Sequence, residues 1–357
     1  MAGLWQCAVA FARRKTRLLG GLLGAGVVAV VFLVVLPRIA DYRDVWDVVR
    51  DLSWWWLVAL AGASLLNVVT FAPPTMAALP GIGFREALTV SLASTASTYV
   101  APGGAAVGIA FSYAMLRGWG FASSEVALAL TVIGVWSQLA IFGFPAIGLA
   151  ALTATGGANP GLQTAALIGF GAFVVLLGGF VLSLSSAQRA RRLGDLAARL
   201  VSACLRIFRR GPVKWNGENL VRFRYGAVGL LRRRWHVLTV GTLAGHLTVY
   251  LVLVVALLAV GIDLDQVSLV ESFAAWSLVR LLGSIPITPG GLGFVELGLT
   301  GALVAFGAGQ PQAVAATLMY RVFTIVPPLL LGLAAAASYR RKHPDVVEEV
   351  AEEVAAP

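Results

Sequence analysis

The chain carries Pro102-Gly103-Gly104 and, 187 residues later, Pro289-Gly290-Gly291, each inside a long apolar stretch. At the same offset the surrounding residues align without a gap, so that Gly120 falls on Gly307. Proline removes a backbone donor and disfavours helix in the residue before it, while glycine permits positive φ. Each copy therefore predicts the end of one half-helix and the start of another. A helix break at matching positions of two hydrophobic halves is typical of transporter sites built from broken membrane helices.

The composition is that of a polytopic membrane protein. Of the 357 residues, 59% are hydrophobic and 12% charged, with a mean hydropathy of +0.85. Soluble domains carry about 25% charged residues, and a spanning helix needs about 18 or more apolar residues. We predict an all-α fold with six spanning helices, at 18–37, 53–72, 124–150, 161–184, 236–261 and 312–337. The stretches 86–117 and 268–307, which hold the Pro-Gly-Gly copies, are predicted to be re-entrant broken-helix hairpins; kinked helices or full spans are the alternatives.

The distribution of basic residues predicts the topology. With two re-entrant hairpins, 22 of the 27 Lys and Arg residues fall on the side of both termini and three on the opposite side. That bias predicts cytoplasmic termini, because loops on the cytoplasmic side are enriched in Lys and Arg. The hairpins then enter from opposite faces, which makes the two halves an inverted-topology repeat. The predicted organisation is a membrane domain 1–344, with repeat one at 53–184, a basic cytoplasmic loop at 185–235, repeat two at 236–340, and then an acidic tail at 345–357.

The second break also carries a family resemblance. The run Ile287-Thr288-Pro289-Gly290-Gly291-Leu292-Gly293-Phe294-Val295-Glu296 resembles the signature of the flippase-like integral membrane family, which includes the transmembrane region of lysylphosphatidylglycerol synthases. Met319-Tyr320-Arg321 resembles the tyrosine-arginine pair of that family. The resemblance implies a multi-pass protein of the bacterial plasma membrane that translocates or handles lipids. The soluble aminoacyl-transferase domain of the full synthase is not expected, and hence no enzyme activity is expected either.

The first half departs from the family pattern. Many members carry a glutamate and an arginine shortly after the first break, whereas Gly104 to Tyr113 contain no charge. The substrate of the better-known members is therefore not assumed for this chain.

Charged residues at membrane depth define the candidate substrate-binding site. Arg280, Glu296 and Arg321 fall within apolar segments, where a charge is costly and usually functional or paired. One carboxylate beside two guanidinium groups leaves an excess positive charge, which suits the anionic headgroup of a membrane lipid. The alternative is a structural Arg–Glu clamp. Also assigned to this site are Tyr320 and the two tips, whose half-helix starts offer backbone N–H groups: Pro102, Gly103, Gly104, Pro289, Gly290 and Gly291.

Uncharged polar residues give a weaker signal. Ser91, Ser94 or Thr95, and Thr98 share one face of the first half-helix. They predict either a polar path for a headgroup or close helix packing. Asn67, Gln138 and His246 are expected to form hydrogen bonds between helices.

The loop between the halves predicts contact with lipid rather than nucleic acid. Residues 187–210 alternate leucines and arginines at helical spacing, which is typical of an interfacial helix on an anionic leaflet. A second basic helix is predicted at about 217–234. No catalytic constellation, metal site or cofactor motif is recognised in the sequence. The competing hypothesis for function is a non-transporting partner of a lipid-modifying enzyme, and the oligomeric state stays open.

Overall fold

The computed structural model describes residues 42–100, 104–154, 160–207, 211, 213, 216–284 and 291–342. Within these residues there is no strand, and the helices follow one another as α1 Tyr42–Arg50, α2 Trp54–Val69, α3 Ala72–Ala78, α4 Phe84–Val100, α5 Gly104–Gly118, α6 Ser123–Ala154, α7 Pro160–Ser185, α8 Ala187–Ile207, α9 Gly217–Ala259, α10 Leu269–Gly283, α11 Phe294–Ala305 and α12 Gln310–Lys342.

The predicted all-α membrane fold is confirmed. In the described part of the chain, five segments are long and apolar enough to cross a membrane, namely Trp54–Ala78 (α2 with α3), α6, Leu167–Ser185 of α7, α9 and α12. The predicted first span, 18–37, lies outside the described residues, as does the predicted tail, 345–357.

Helix α9 differs from the prediction. A basic helix at 217–234 and a separate span at 236–261 were expected, but Gly217–Ala259 is one continuous helix. No proline interrupts this sequence. Its cluster of arginines favours water over lipid for that part of the helix, but it does not break the backbone hydrogen bonds. The basic first part of α9 is therefore expected to lie outside the apolar layer, and the remainder of the helix to cross it.

Both apolar stretches that contain Pro-Gly-Gly are broken, as predicted. Helix α4 ends at Val100 and α5 begins at Gly104, while α10 ends at Gly283 and α11 begins at Phe294. The two helices of each pair pack against each other. Pro102, Gly103, Pro289 and Gly290 lie outside the described residues, while Gly104 is the first residue of α5. Gly291 has a φ of +68°, and a Cβ there would lie 2.9 Å from Cγ2 of Val295, so only glycine fits.

The offset of 187 residues is preserved in the structure. Helix α6 begins at Ser123 and α12 at Gln310, each after a turn with a positive-φ glycine, Gly120 at +89° and Gly307 at +105°. The same pattern of three backbone hydrogen bonds closes both turns. The aligned sequences therefore adopt matching local structure at the end of each broken pair.

The two halves pack against each other reciprocally. Helix α4 of the first pair lies on α12, and α10 of the second pair lies on α6. A glycine brings the backbones together at both contacts: Gly332 of α12 abuts the carbonyl of Leu92, and a Cβ on Gly148 of α6 would lie 3.1 Å from Cα of Ala274. The first helix of each broken pair, α4 or α10, thus packs against a long helix of the other half, α12 or α6.

Candidate functional site

A cavity of about 380 Å³ lies among α2, α3, α4, α6, α9, α10 and α12. Its lining is polar for a membrane-embedded region and consists of Asn67, Thr70, Phe71, Pro74, Thr75, Ser91, Thr95, Tyr99, Ile133, Ser137, Thr242, Gly245, His246, Val249, Arg280, Tyr320, Arg321 and Thr324. Arg321 and His246 lie within about one helical turn of the middle of their predicted spans. The cavity therefore places polar groups near the centre of the apolar layer.

Arg321 and Glu296 form a buried ion pair. The Arg321 Nε donates to Oε1 of Glu296 over 2.6 Å, and the two side chains are 11% and 1% exposed. The other carboxylate oxygen of Glu296 accepts the Gly293 N–H over 2.6 Å at the start of α11. A carboxylate is stabilised at this end of a helix, where backbone N–H groups lack partners within the helix. Glu296 therefore joins α11 to α12. Because the Gly293 N–H already donates to Glu296, it is not available to a ligand.

Arg280 is the second guanidinium of the cavity, and it is held by two rings. Its Nη2 lies 3.0 Å from Nδ1 of His246, and its Cζ lies 5.3 Å from the ring centroid of Trp276. Its Nε is buried and has no hydrogen-bond partner among the described residues. Arg280 thus lines the cavity, and its Nε–H group has no acceptor among the described residues.

The contact with Arg280 sets the tautomer of His246. Because a guanidinium only donates, Nδ1 of His246 must accept, and the ring proton of the neutral imidazole lies on Nε2. This Nε2 is 3.3 Å from Oγ of Ser137, to which it can donate. His246 is therefore a neutral bridge between α6 and α10, and it adds no charge to the cavity.

The hydroxyl groups of α4 divide into two sets. Ser91, Thr95 and Tyr99, at i, i+4 and i+8, line the cavity. Ser94 and Thr98 do not, and Ser94 lies where α5 packs closely at Gly108. The hydroxyl residues of α4 are therefore split, with Ser91, Thr95 and Tyr99 at the cavity and Ser94 at the contact with α5. A polar path for a headgroup stays a prediction.

The remaining predicted site residues are distributed as follows. Tyr320 lines the cavity and accepts from Nε1 of Trp276 over 3.2 Å. Gly291 and Glu296 are not among the described lining residues, and Glu296 reaches the cavity only through its ion pair with Arg321. Of Gly104, only the backbone at the start of α5 is described. Asn67 forms the expected interhelical hydrogen bonds, to the Gly245 carbonyl and to Thr248, and also faces the cavity.

Sequence reasoning missed several lining residues, including Thr70, Thr75, Ser137, Thr242 and Thr324. For Thr242 a signal exists, because it precedes His246 by four residues and so shares its helix face. The others are single hydroxyls in apolar segments, and nothing in their local pattern distinguishes them from packing residues.

The fold and the site define a class: a multi-pass, all-α membrane protein with a basic, hydroxyl-lined cavity among its helices. The chain belongs to the family described as the lysylphosphatidylglycerol synthase TM region, whose model matches residues 19–332. A "UPF0104 membrane protein" of Methanothermobacter thermautotrophicus is 36% identical over 90 residues, which is a quarter of this chain and a quarter of that relative.

The family match confirms the resemblance drawn from Ile287 to Glu296 and from Met319-Tyr320-Arg321. It identifies a membrane protein linked by its family to lipid metabolism, and what is matched is the membrane region of a synthase.

Proposed function

We propose that the protein is a transporter that moves lipids, or lipid-linked anions, across the bacterial plasma membrane. The observation that carries this proposal is the presence of Arg280 and Arg321 in one cavity that is lined by several of the candidate spans. Buried charge is expensive in an apolar layer and is retained where it binds or conducts a substrate. An anionic headgroup that enters the cavity would be held by these arginines while its acyl chains remain in the lipid.

Charge compensation supports an anion as the ligand. Arg321 is neutralised by Glu296. Arg280 faces only neutral groups in its described contacts, namely His246 and Trp276. A bound phosphate would supply the missing negative charge and accept hydrogen bonds from the guanidinium of Arg280.

The arrangement of the broken pairs supports alternating exposure of the cavity. Three of the five candidate spans, α6, α7 and α9, lie between them. If each broken pair is a re-entrant hairpin, an odd number of crossings brings the two hairpins in from opposite faces. The halves are then an inverted repeat, and movement of one half against the other would open the cavity to each side in turn.

The surface of the protein is suited to a lipid environment. Helix α8 exposes Leu196 and Leu200 together with Arg192 and Arg199, which favours a position on an anionic leaflet. We therefore place the basic side, with both termini, in the cytoplasm.

A transport assay tests the proposal. Purified protein in proteoliposomes is expected to move fluorescent phosphatidylglycerol between leaflets, and Arg280→Gln to slow this movement by about 10-fold or more, since a hydrogen bond to a charged group contributes about 1.5–3 kcal/mol. Arg340→Gln removes the same charge from an exposed residue at the end of α12 and serves as the control. Equal rates for all three proteins would contradict transport through this cavity.

The second candidate function is a membrane partner for a lipid-modifying enzyme. The observation that favours it is the basic α8–α9 pair, which is joined by an Arg191–Glu218 ion pair and extends beyond the apolar part of α9. Absence of lipid movement by well-folded wild-type protein, with lipid binding intact, would favour this function.

A further inference from the structure

We infer that the cavity selects a headgroup that combines a single negative charge with several hydroxyl groups, as in a phosphodiester-linked glycerol or sugar. This inference rests on the proposed function, because it names the substrate class of the same cavity. It is carried by three features of the lining: its net charge, its hydroxyl groups and its volume.

The net charge of the described lining residues, with Glu296 counted as the partner of Arg321, is that of one guanidinium. The Arg321–Glu296 pair is neutral as a unit, and His246 must be the neutral imidazole that accepts from Arg280. None of the described lining residues is acidic, and neither are residues 101–103 and 285–290 of the two tips. Arg280 is left to be balanced by the ligand, and one negative charge balances it.

Headgroups of other charge fit less well. A phosphomonoester carries about −1.5 to −2, so that its second charge would be buried without a counter-ion. A headgroup that bears an ammonium would place this cation beside Arg280. None of the described lining residues is acidic, and the carboxylate of Glu296 is already paired with Arg321 and 1% exposed. A lysyl ester of phosphatidylglycerol, which is the lipid in the family's description, adds ammonium groups of this kind.

The hydroxyl groups of the lining favour a ligand that itself carries hydroxyls. Nine of the eighteen described lining residues are Ser, Thr or Tyr. Thr95 and Thr324 each donate their proton to a carbonyl of their own helix, over 2.8 and 2.7 Å. Their oxygens keep lone pairs that can accept from a ligand. The Oγ1 of Thr242 is buried and has no partner among the described residues.

The volume of about 380 Å³ limits what is bound. Pockets for small molecules span about 300–1,000 Å³. The cavity therefore has room for a headgroup but not for a whole lipid, whose chains would extend into the membrane.

The test is a binding titration with the purified full-length chain in detergent. The probes are dihexanoyl forms of phosphatidylglycerol, phosphatidic acid, phosphatidylethanolamine and lysyl-phosphatidylglycerol, together with glycerophosphoglycerol, which has the same headgroup without chains. Dissociation constants are taken from native mass spectrometry. The variants are Arg280→Gln, Arg280→Lys and Thr95→Val. The matched control is Thr98→Val, which removes a hydroxyl of the same helix that bonds to its own backbone but does not line the cavity.

We expect phosphatidylglycerol to bind at least about 10-fold more tightly than the other three lipids. Arg280→Gln should remove this preference, Arg280→Lys should retain part of it, and Thr95→Val should weaken binding while Thr98→Val does not. Equal binding of all four lipids, a preference for the lysyl lipid, or binding that is unchanged in both Arg280→Gln and Thr95→Val would overturn the inference. Should Arg280→Gln fail to fold, Arg280→Lys and the two threonine variants still decide it.

The source of the headgroup and the transport step are judged separately. Tight binding of glycerophosphoglycerol but not of the lipid would keep the headgroup class and overturn a lipid as its source. Selective lipid binding without any movement in proteoliposomes would overturn the proposed transport and leave this inference standing. Movement of lipids without headgroup preference would overturn this inference and leave the proposed transport standing.

Discussion

Replacing Glu296 with alanine should lower the free energy of unfolding by about 3–5 kcal/mol, the cost of removing one partner from a buried ion pair. The carboxylate is 1% exposed and has two roles, as the partner of Arg321 and as the acceptor for the Gly293 N–H. Its loss would leave the Arg321 guanidinium, 11% exposed, in an apolar layer without that carboxylate. Chemical unfolding in detergent, followed by tryptophan fluorescence, measures the difference.

Glu271 provides a matched control for this prediction. Glu271 accepts from the backbone N–H of Ser268 over 2.9 Å at the start of α10, as Glu296 accepts from Gly293 at the start of α11. Among the described residues, no arginine forms an ion pair with Glu271. Glu271→Ala should therefore cost only about 1 kcal/mol, as for the loss of a helix cap. The double variant Glu296→Met/Arg321→Met should be more stable than Glu296→Ala, because apolar side chains can replace a buried pair. A loss for Glu296→Ala no larger than for Glu271→Ala would show that the ion pair does not stabilise the fold.

Cross-linking the two halves should stop transport almost completely. A Cβ on Gly148 of α6 would lie 3.4 Å from Cβ of Ala274 on α10, close to the separation of about 3.5–4.5 Å found in disulfides. A Gly148→Cys/Ala274→Cys protein, with Cys7 and Cys204 replaced by serine, should form this link on oxidation. Because α6 belongs to the first half and α10 to the second, the link would prevent one half from moving against the other.

The readout is lipid movement in proteoliposomes before and after reduction. We expect oxidised protein to retain about 10% or less of the activity of the reduced protein, and each single-cysteine variant to be insensitive to oxidation. If the oxidised protein is fully linked and still moves lipid at the reduced rate, relative movement of the halves is not part of transport.

The broken helices could be predicted because their signals are local. Proline and glycine act on the backbone within one or two residues, so the Pro-Gly-Gly copies located both interruptions without knowledge of the tertiary fold. The continuity of α9 was missed for the opposite reason. The sequence predicted a basic helix at about 217–234 and a span at 236–261, because charge changes sharply after Arg232, Arg233 and Arg234. Arginine is nevertheless a good helix former, so such a change in charge does not end a helix.

The cavity was predictable only in part. The cost of burying a charge pointed to Arg280, Glu296 and Arg321 from sequence alone. Which arginine pairs with Glu296 depends on how α11 and α12 are rotated about their axes, and no local pattern contains that information. The same holds for α4, where a small rotation decides that Thr95 rather than Thr98 faces the cavity.

The most direct test of the account is to locate the headgroup while it is bound. Phosphatidylglycerol with a photoactivatable group on its glycerol head would be cross-linked to wild-type protein in liposomes, and the modified peptides identified by mass spectrometry. The account predicts labels on the cavity-lining segments Ser91–Tyr99 of α4 and Thr242–Val249 of α9, and their loss in Arg280→Gln. Labels confined to exposed residues of α7 such as Val175, with none in those segments, would contradict a headgroup site in the cavity.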